Sequence, residues 1–283
     1  MAPALFVVLW STGFVVARYA TRDAAPLSFL TVRMIIAAAV LAAIAVATSA
    51  PRLTPSAARW AVVAGWGMHA LYLGGVFVAI DHGLPSGVGA LIAGLHPVIT
   101  SLAARGLLGE RLLAVQWAGI ALGLVGVIAV VVDRLLAKST GINAGTLLAS
   151  SLSVLGITGG TLVQRRHGTT MPLLWGTVVQ YAGSAVVLAI GAVTVEHFEF
   201  RWTGQSIFAL VWSVVVMSFA AVLIMLWLLQ RQAASRVSSL FFLTPALSTI
   251  EGAVLFGERL GVLALVGLVL ALVGVALVTR RQV

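Results

Sequence analysis

The residues best placed to do chemistry in this chain are polar and aromatic side chains stranded inside apolar runs. Trp66, His69 and Tyr72 recur at spacings of three, which on a helix sets them near one face. His96, the pair Trp10 and Ser11, the pair Trp212 and Ser218, and the group Ser238, Ser239 and Thr244 also fall midway along apolar segments. Together they offer ring faces, imidazoles and hydroxyls. That set suits a small zwitterion with an apolar side chain: ring contact for the side chain, donors and acceptors for the ammonium and carboxylate. Each residue alone also has a plain structural use. A Ser or Thr in a membrane helix commonly bonds its own backbone or a neighbouring helix, and a lone Trp commonly packs. Arg33 and Glu251 are the charges set deepest in apolar segments. They are expected to pair with each other or with Asp23. Alternatively Glu251 carries a coupling proton, although a single buried acid gives little for a relay.

Other chemistries lack their residues. There is no Gly-x-x-x-x-Gly-Lys-Ser/Thr loop for a nucleotide, no His-Glu-x-x-His for zinc and no Gly-x-Ser-x-Gly elbow. His82 and Ser86 are close in sequence, but a loop His before a helix-starting Ser is ordinary. With no Cys, disulfides and thiolate metal sites are impossible. No catalytic residue, metal or cofactor is expected, and the chain reads as no enzyme. Rings of one charge or a filter strand would favour a channel, and neither is visible.

The elements that must position these residues follow from composition. The 283 residues are 61% hydrophobic and 9% charged, with a mean hydropathy of +1.11. Soluble domains carry about 25% charged residues, and disordered chains are poor in apolar ones. Both classes are excluded, and the partner of such a chain is a lipid bilayer. Ten segments are long enough to cross it: 4–20, 27–48, 59–80, 85–106, 112–132, 143–163, 172–194, 205–229, 235–256 and 261–279. They are continuously apolar rather than alternating, so they read as helices and not barrel strands. The first could pass for a signal peptide, but no Lys or Arg precedes its apolar stretch. The net charge of +9 comes from basic residues standing singly or in pairs. No nucleic-acid surface is implied; these residues report topology. With the N-terminus on side A, that side holds Arg52, Arg59, Arg105, Arg111, Arg165, Arg166, Arg231, Arg236, Arg280 and Arg281. Side B holds Arg18, Arg22, Arg134, Lys138, Arg201 and Arg259. Ten against six makes side A cytoplasmic, with both termini inside.

The chain also repeats itself. Residues 96–127 align with 244–275 at an offset of 148 without a gap, with 12 of 32 positions identical. The matches include Pro97 with Pro245, the Gly-Glu-Arg-Leu blocks starting at Gly109 and Gly257, and Gly119 with Gly267. Pro26 to Thr31 faces Pro172 to Thr177 more weakly. The halves are 1–138 and 139–283. Five spans in each half, an odd number, place the second half upside down, an inverted repeat of the kind found in secondary transporters, whose site lies near the midplane. Channels use such repeats too. The paired prolines bend their helices and are candidate hinges. Glu110 and Glu258 sit at span junctions, where a Glu complements a helix N-terminus.

Trp10-Ser11-Thr12-Gly13-Phe14 in the first span, Arg33 early in the second, Pro97 in the fourth and the paired Gly-Glu blocks resemble the EamA family of the drug/metabolite transporter superfamily. The resemblance covers nearly the whole chain, and within the superfamily it is most similar to bacterial inner-membrane exporters of neutral and aromatic amino acids. It implies a ten-helix carrier that exports an amino-acid-like small molecule by alternating access. Drugs or other metabolites exchanged for protons, and a passive channel, are the alternatives. His96 departs from the pattern, since its repeat mate is Thr244, so the halves are chemically unequal near the centre. Ten spans can enclose a cavity in one chain, so a monomer suffices.

Overall fold

Lipid offers a backbone no hydrogen-bond partner, so each apolar run satisfies itself as a helix. In the computed structural model, residues 2–84, 86–97, 99, 100, 103, 106, 113–136, 143–256 and 261–278 are described. The helices are α1 (Ala2–Ala20), α2 (Pro26–Ala47), α3 (Pro55–Asp81), α4 (Ser86–Ala93), α5 (Ala114–Leu136), α6 (Ala144–His167), α7 (Leu173–Thr194), α8 (Gly204–Arg231), α9 (Ala234–Ser239), α10 (Leu243–Phe256) and α11 (Val262–Val278). Six of the described helical runs are long and apolar enough to cross a membrane: α1, α2, α3, α6 with its 3-10 extension to Thr170, α7 and α8. Of the other four expected spans, 235–256 is described in full and runs through α9, a 3-10 turn and α10, while 85–106, 112–132 and 261–279 reach beyond the described residues, their described parts helical apart from short turns. The expected boundary at 138/139 and both Gly-Glu-Arg-Leu blocks lie outside the described residues. The chain is an all-helical, multi-pass membrane protein.

Local sequence sets the helix starts. Pro26 and Pro55 occupy first-turn positions, where a missing N–H costs nothing. Asn143 with Thr146, and Thr203 with Ser206, form reciprocal caps. Helix α2 has no cap of its own. Glu196, just past α7, supplies one: its two carboxylate oxygens accept from Leu27 N and Ser28 N at 2.8 Å each, and from the Ser28 hydroxyl at 2.9 Å. Replacing an N-cap by Ala typically costs about 1 kcal/mol, and a carboxylate at a helix N-terminus adds some tenths more. Glu196→Ala is therefore expected to lower the unfolding temperature in detergent by about 2–4 °C per kcal/mol. An unchanged midpoint would remove the cap from the account.

Apolar side chains face outward, and several polar ones are enclosed within a largely apolar core. Ile35, Ile44, Val186, Ile190 and Val215 are exposed, as lipid-facing residues should be, while Arg33, His69, His96, Gln164, Gln180 and Ser218 are buried. Helix α1 packs on α8, α3 on α6, α2 on α7, α4 on α10, and α5 on α11. Small residues let the backbones meet, as they must where lipid gives no hydrophobic drive. A Cβ on Gly274 would lie 2.6–2.8 Å from the backbone of Gly119 and Gly123 across the α5–α11 seam.

Two helices carry wide turns. Trp66–Leu71 in α3 and Ser213–Ala221 in α8 are π-helical, a form frequent at functional sites. Two further irregularities precede the candidate hinges. A turn at Gly94–Leu95 comes before His96 and Pro97, and the 3-10 turn Leu240–Phe242 comes before Thr244 and Pro245. At one end of the bundle the α1–α2 and α7–α8 loops are tied together. Thr203 donates to Asp23 at 2.6 Å, Arg201 N to Asp23 O at 2.8 Å, and Ala25 N to Glu199 O at 3.0 Å. Below them Phe29 stacks between Phe77 and Phe200 at 5.9 and 6.2 Å.

Candidate functional site

The wide turn of α3 aims His69 and Tyr72 into the centre, where α1 brings Trp10, α2 brings Arg33 and α8 brings Met217. These side chains line a cavity of about 20 Å³, enough for about one water. The Trp10 and Tyr72 rings stack at 6.2 Å and 16°, and Trp10 Nε1 donates to the Tyr72 hydroxyl at 3.4 Å. Arg33 Nε donates to Ser218 Oγ at 3.0 Å, and Tyr181 donates to the Ser218 carbonyl at 2.6 Å. His69 Nε2 lies 3.2 Å from Gln180 Oε1, and Gln180 Nε2 donates to Gln164 Oε1 at 2.9 Å. Because the Gln180 amide nitrogen serves Gln164, its oxygen accepts from His69 Nε2–H. A buried polar chain thus joins α3, α7 and α6.

An aromatic cluster packs around Trp10. Phe241 stands 5.1 Å from Trp10, 5.4 Å from Phe6 and 4.9 Å from His96, edge-on to each. Beyond it, His96 Nδ1 meets Thr158 at 3.1 Å and Thr100 at 3.0 Å, while its Nε2 is buried without a partner among the described residues. Chemically the centre can enclose a small group between rings, with the Arg33 fork, the Tyr72 hydroxyl and the His69 imidazole as polar contacts. At this volume the helices must part before anything larger than water enters.

Of the residues singled out by sequence, Trp10, His69, Tyr72 and Arg33 meet at the cavity, with Ser218 behind Arg33. The others are dispersed. Trp66 is 46% exposed on the outer face, its indole donating to Gly183 O at 3.1 Å. The π turn explains this: the spacing of three that aligns residues on an α-helix no longer does so on a wider turn. Ser11 donates to Glu251 Oε1 at 2.5 Å on the α1–α10 seam. Trp212 donates to Thr12 at 3.0 Å, and both line a lateral cleft of about 410 Å³ with Glu251. Ser239 bonds its own helix through Arg236 O, while the hydroxyls of Ser238 and Thr244 are buried without partners among the described residues. Pro97 is buried within a helical stretch, and Pro245 lies in α10. The expected Arg33–Glu251 pair is not formed, nor does Asp23 pair with either. Glu251 faces α1, Arg33 faces α8, and Asp23 accepts from Thr203.

Sequence reading passed over Gln180, Gln164, Tyr181, Phe6 and Phe241. The glutamines carried the same signal as His69, a costly polar group in an apolar run. The phenylalanines carried none, because an aromatic in a membrane helix is unremarkable until a neighbour is known.

Comparison with known proteins agrees with this architecture. One solved crystal structure aligns with 98% of this chain and 94% of its own at a TM-score of 0.79 and 22% identity, and shares the fold. The uncharacterized transporter YvbV of Bacillus subtilis is 25% identical over 99% of this chain and 90% of its own. A probable amino-acid metabolite efflux pump of Escherichia coli is 25% identical over 95% of this chain and 91% of its own. The EamA-like transporter family matches twice, over residues 2–132 and 144–280. The chain belongs to the EamA-like transporter family.

Proposed function

We propose that this transporter exports small amphipathic metabolites, neutral or aromatic amino acids first, across a bacterial inner membrane by alternating access. The observation that carries the reading is the enclosed centre, where Trp10 and Tyr72 supply rings and Arg33 and His69 supply polar contacts. The relative named as an amino-acid metabolite efflux pump supports the substrate class.

The mechanism needs two halves related by inversion, ten spans in all, with both termini cytoplasmic. Support comes from a packing pattern that maps onto itself. Exchanging each helix with its counterpart in the other half turns the α1–α8 contact into the α6–α3 contact and leaves α2–α7, α4–α10 and α5–α11 in place. At the repeat offset of 148, residues 66–71 fall on 214–219, so the two π turns coincide. The breaks before Pro97 and Pro245 correspond as well. Such a molecule has two conformations of similar energy that exchange the roles of its halves. Helices α3, α4, α8 and α10 are the moving parts, and the two prolines their hinges.

Counterflow in proteoliposomes tests this. Vesicles loaded with unlabelled phenylalanine are expected to accumulate labelled phenylalanine transiently and saturably. Repeating the assay across a pH gradient reads any proton coupling. Entry that never saturates and shows no counterflow would make the protein a channel. No exchange of any amino acid by folded protein would move the substrate to drugs or other metabolites.

A further inference from the structure

Arg33 is a buried cation without a carboxylate partner among the described residues. It is 3% exposed, and a charge taken out of water costs several kcal/mol unless it is paired. The described acids that could serve it are engaged elsewhere: Asp23 with Thr203, Asp81 beside His82, Glu196 at the start of α2, and Glu251 with Ser11. A guanidinium has five N–H donors. Nε is spent on Ser218, and the Nη fork finds no acceptor among the described residues. The side chain is nonetheless held in place. Ser218 is fixed through its carbonyl by Tyr181, on the π turn of α8. The fork belongs to the wall of a cavity whose other walls include Trp10, Phe14, Tyr72 and Phe77.

A planar fork of donors in a dry site matches one chemical group best, a carboxylate taken up by two parallel hydrogen bonds. We propose that Arg33 anchors the carboxylate of the transported molecule. Among the described residues no Asp or Glu lines the cavity, so none of them offers an opposite charge to an ammonium. The required ligand feature is therefore an apolar or aromatic side chain bearing one carboxylate. The amino group is dispensable, and 2-oxo, hydroxy and unsubstituted monocarboxylates bind alongside amino acids. Amines lacking the acid do not bind. The rings that line the cavity, Trp10, Phe14, Tyr72 and Phe77, receive the side chain. The inference deepens the carrier reading but does not need transport to be tested.

The test is ligand-induced thermal stabilisation of the purified full chain in detergent, with four probes: 3-phenylpropionate, 3-phenylpropionamide, phenethylamine and phenylalanine. The two carboxylates are expected to stabilise, with the amide about ten- to a hundredfold weaker, the worth of a charge-assisted hydrogen bond. Arg33→Gln should erase the difference between acid and amide, and Arg33→Lys, which keeps the charge without the fork, should retain part of it. Should Arg33→Gln not fold, the wild-type comparison decides. Equal stabilisation by acid and amide overturns the proposal, as does stabilisation by chloride alone or by none of the four probes. So does an acid preference surviving in folded Arg33→Gln. A clear acid preference with no counterflow of any amino acid would sustain this inference while ending the amino-acid reading.

Discussion

Gly160→Val is expected to leave no folded protein, while Gly159→Val, one residue away, is expected to be tolerated. The two positions share a helix, a neighbourhood and the same β-branched cost of putting Val in α6. They differ in what a Cβ meets. At Gly160 it would lie 2.5 Å from Met68 Cγ and 2.8 Å from both Ala64 O and Met68 N; at Gly159 it meets nothing within 4 Å. Even if the Met68 side chain swings aside, the two backbone atoms cannot. The obstruction is also reciprocal: a Cβ on Gly67 would lie 2.6 Å from Gly156 O and 2.8 Å from Gly160 N. Helix α3 would have to lift off α6, taking His69 and Tyr72 with it. Overpacking a core usually costs about 1–3 kcal/mol when side chains can adjust. Separating two helices along a glycine seam forfeits far more of the contact that holds membrane helices together, against a total stability of about 5–15 kcal/mol. Yield of monodisperse protein in detergent, followed by its unfolding temperature, reads the effect. A Gly160→Val protein that melts within about 2 °C of the parent, a fraction of a kcal/mol, would remove the seam from the argument.

The same seam shows what a sequence can and cannot reveal. Polarity in an apolar run is a local property, so Trp10, Arg33, His69 and Tyr72 were visible as candidates before any fold was known. Partnership is not local. Arg33 and Glu251 looked like a pair because both are buried charges, yet the two lie on helices that face different neighbours. Trp66 looked like a companion of His69 because α-helical spacing was assumed, and the π turn at Trp66–Leu71 breaks that assumption. Nothing in the letters Trp-Gly-Met-His-Ala-Leu announces a wide turn. It becomes intelligible only once Gly67 is seen pressed against Gly156 and Gly160.

The helical architecture was the more legible part, because in lipid the backbone has few alternatives. An internal repeat adds a second constraint that a single site does not have. At the repeat offset of 148 His96 falls on Thr244 and Arg33 on Tyr181, so the two halves of the sequence differ chemically at these positions.

Gln180→Leu is expected to slow exchange at least about tenfold in a protein that still folds. Leucine keeps the volume but removes both ends of an amide, leaving His69 Nε2–H and Gln164 Oε1 buried without partners. In soluble proteins each such loss costs about 1–3 kcal/mol. Between membrane helices a hydrogen bond averages about 0.6 kcal/mol, because the separated helices also find partners. The smaller figure governs here, so the unfolding temperature should fall by a few degrees only. Function should suffer more, since Gln180 fixes the imidazole that faces the Arg33 cavity, and a turned ring presents the wrong nitrogen. Gln164→Leu separates the two effects. It orphans the far end of the chain but leaves the His69–Gln180 contact, so it should cost similar stability with little loss of rate. The double variant should be less destabilised than the sum, because the second change removes an acceptor that the first has already orphaned. Equal slowing by Gln164→Leu and Gln180→Leu would mean that the polar chain as a whole, rather than the orientation of His69, sets the rate.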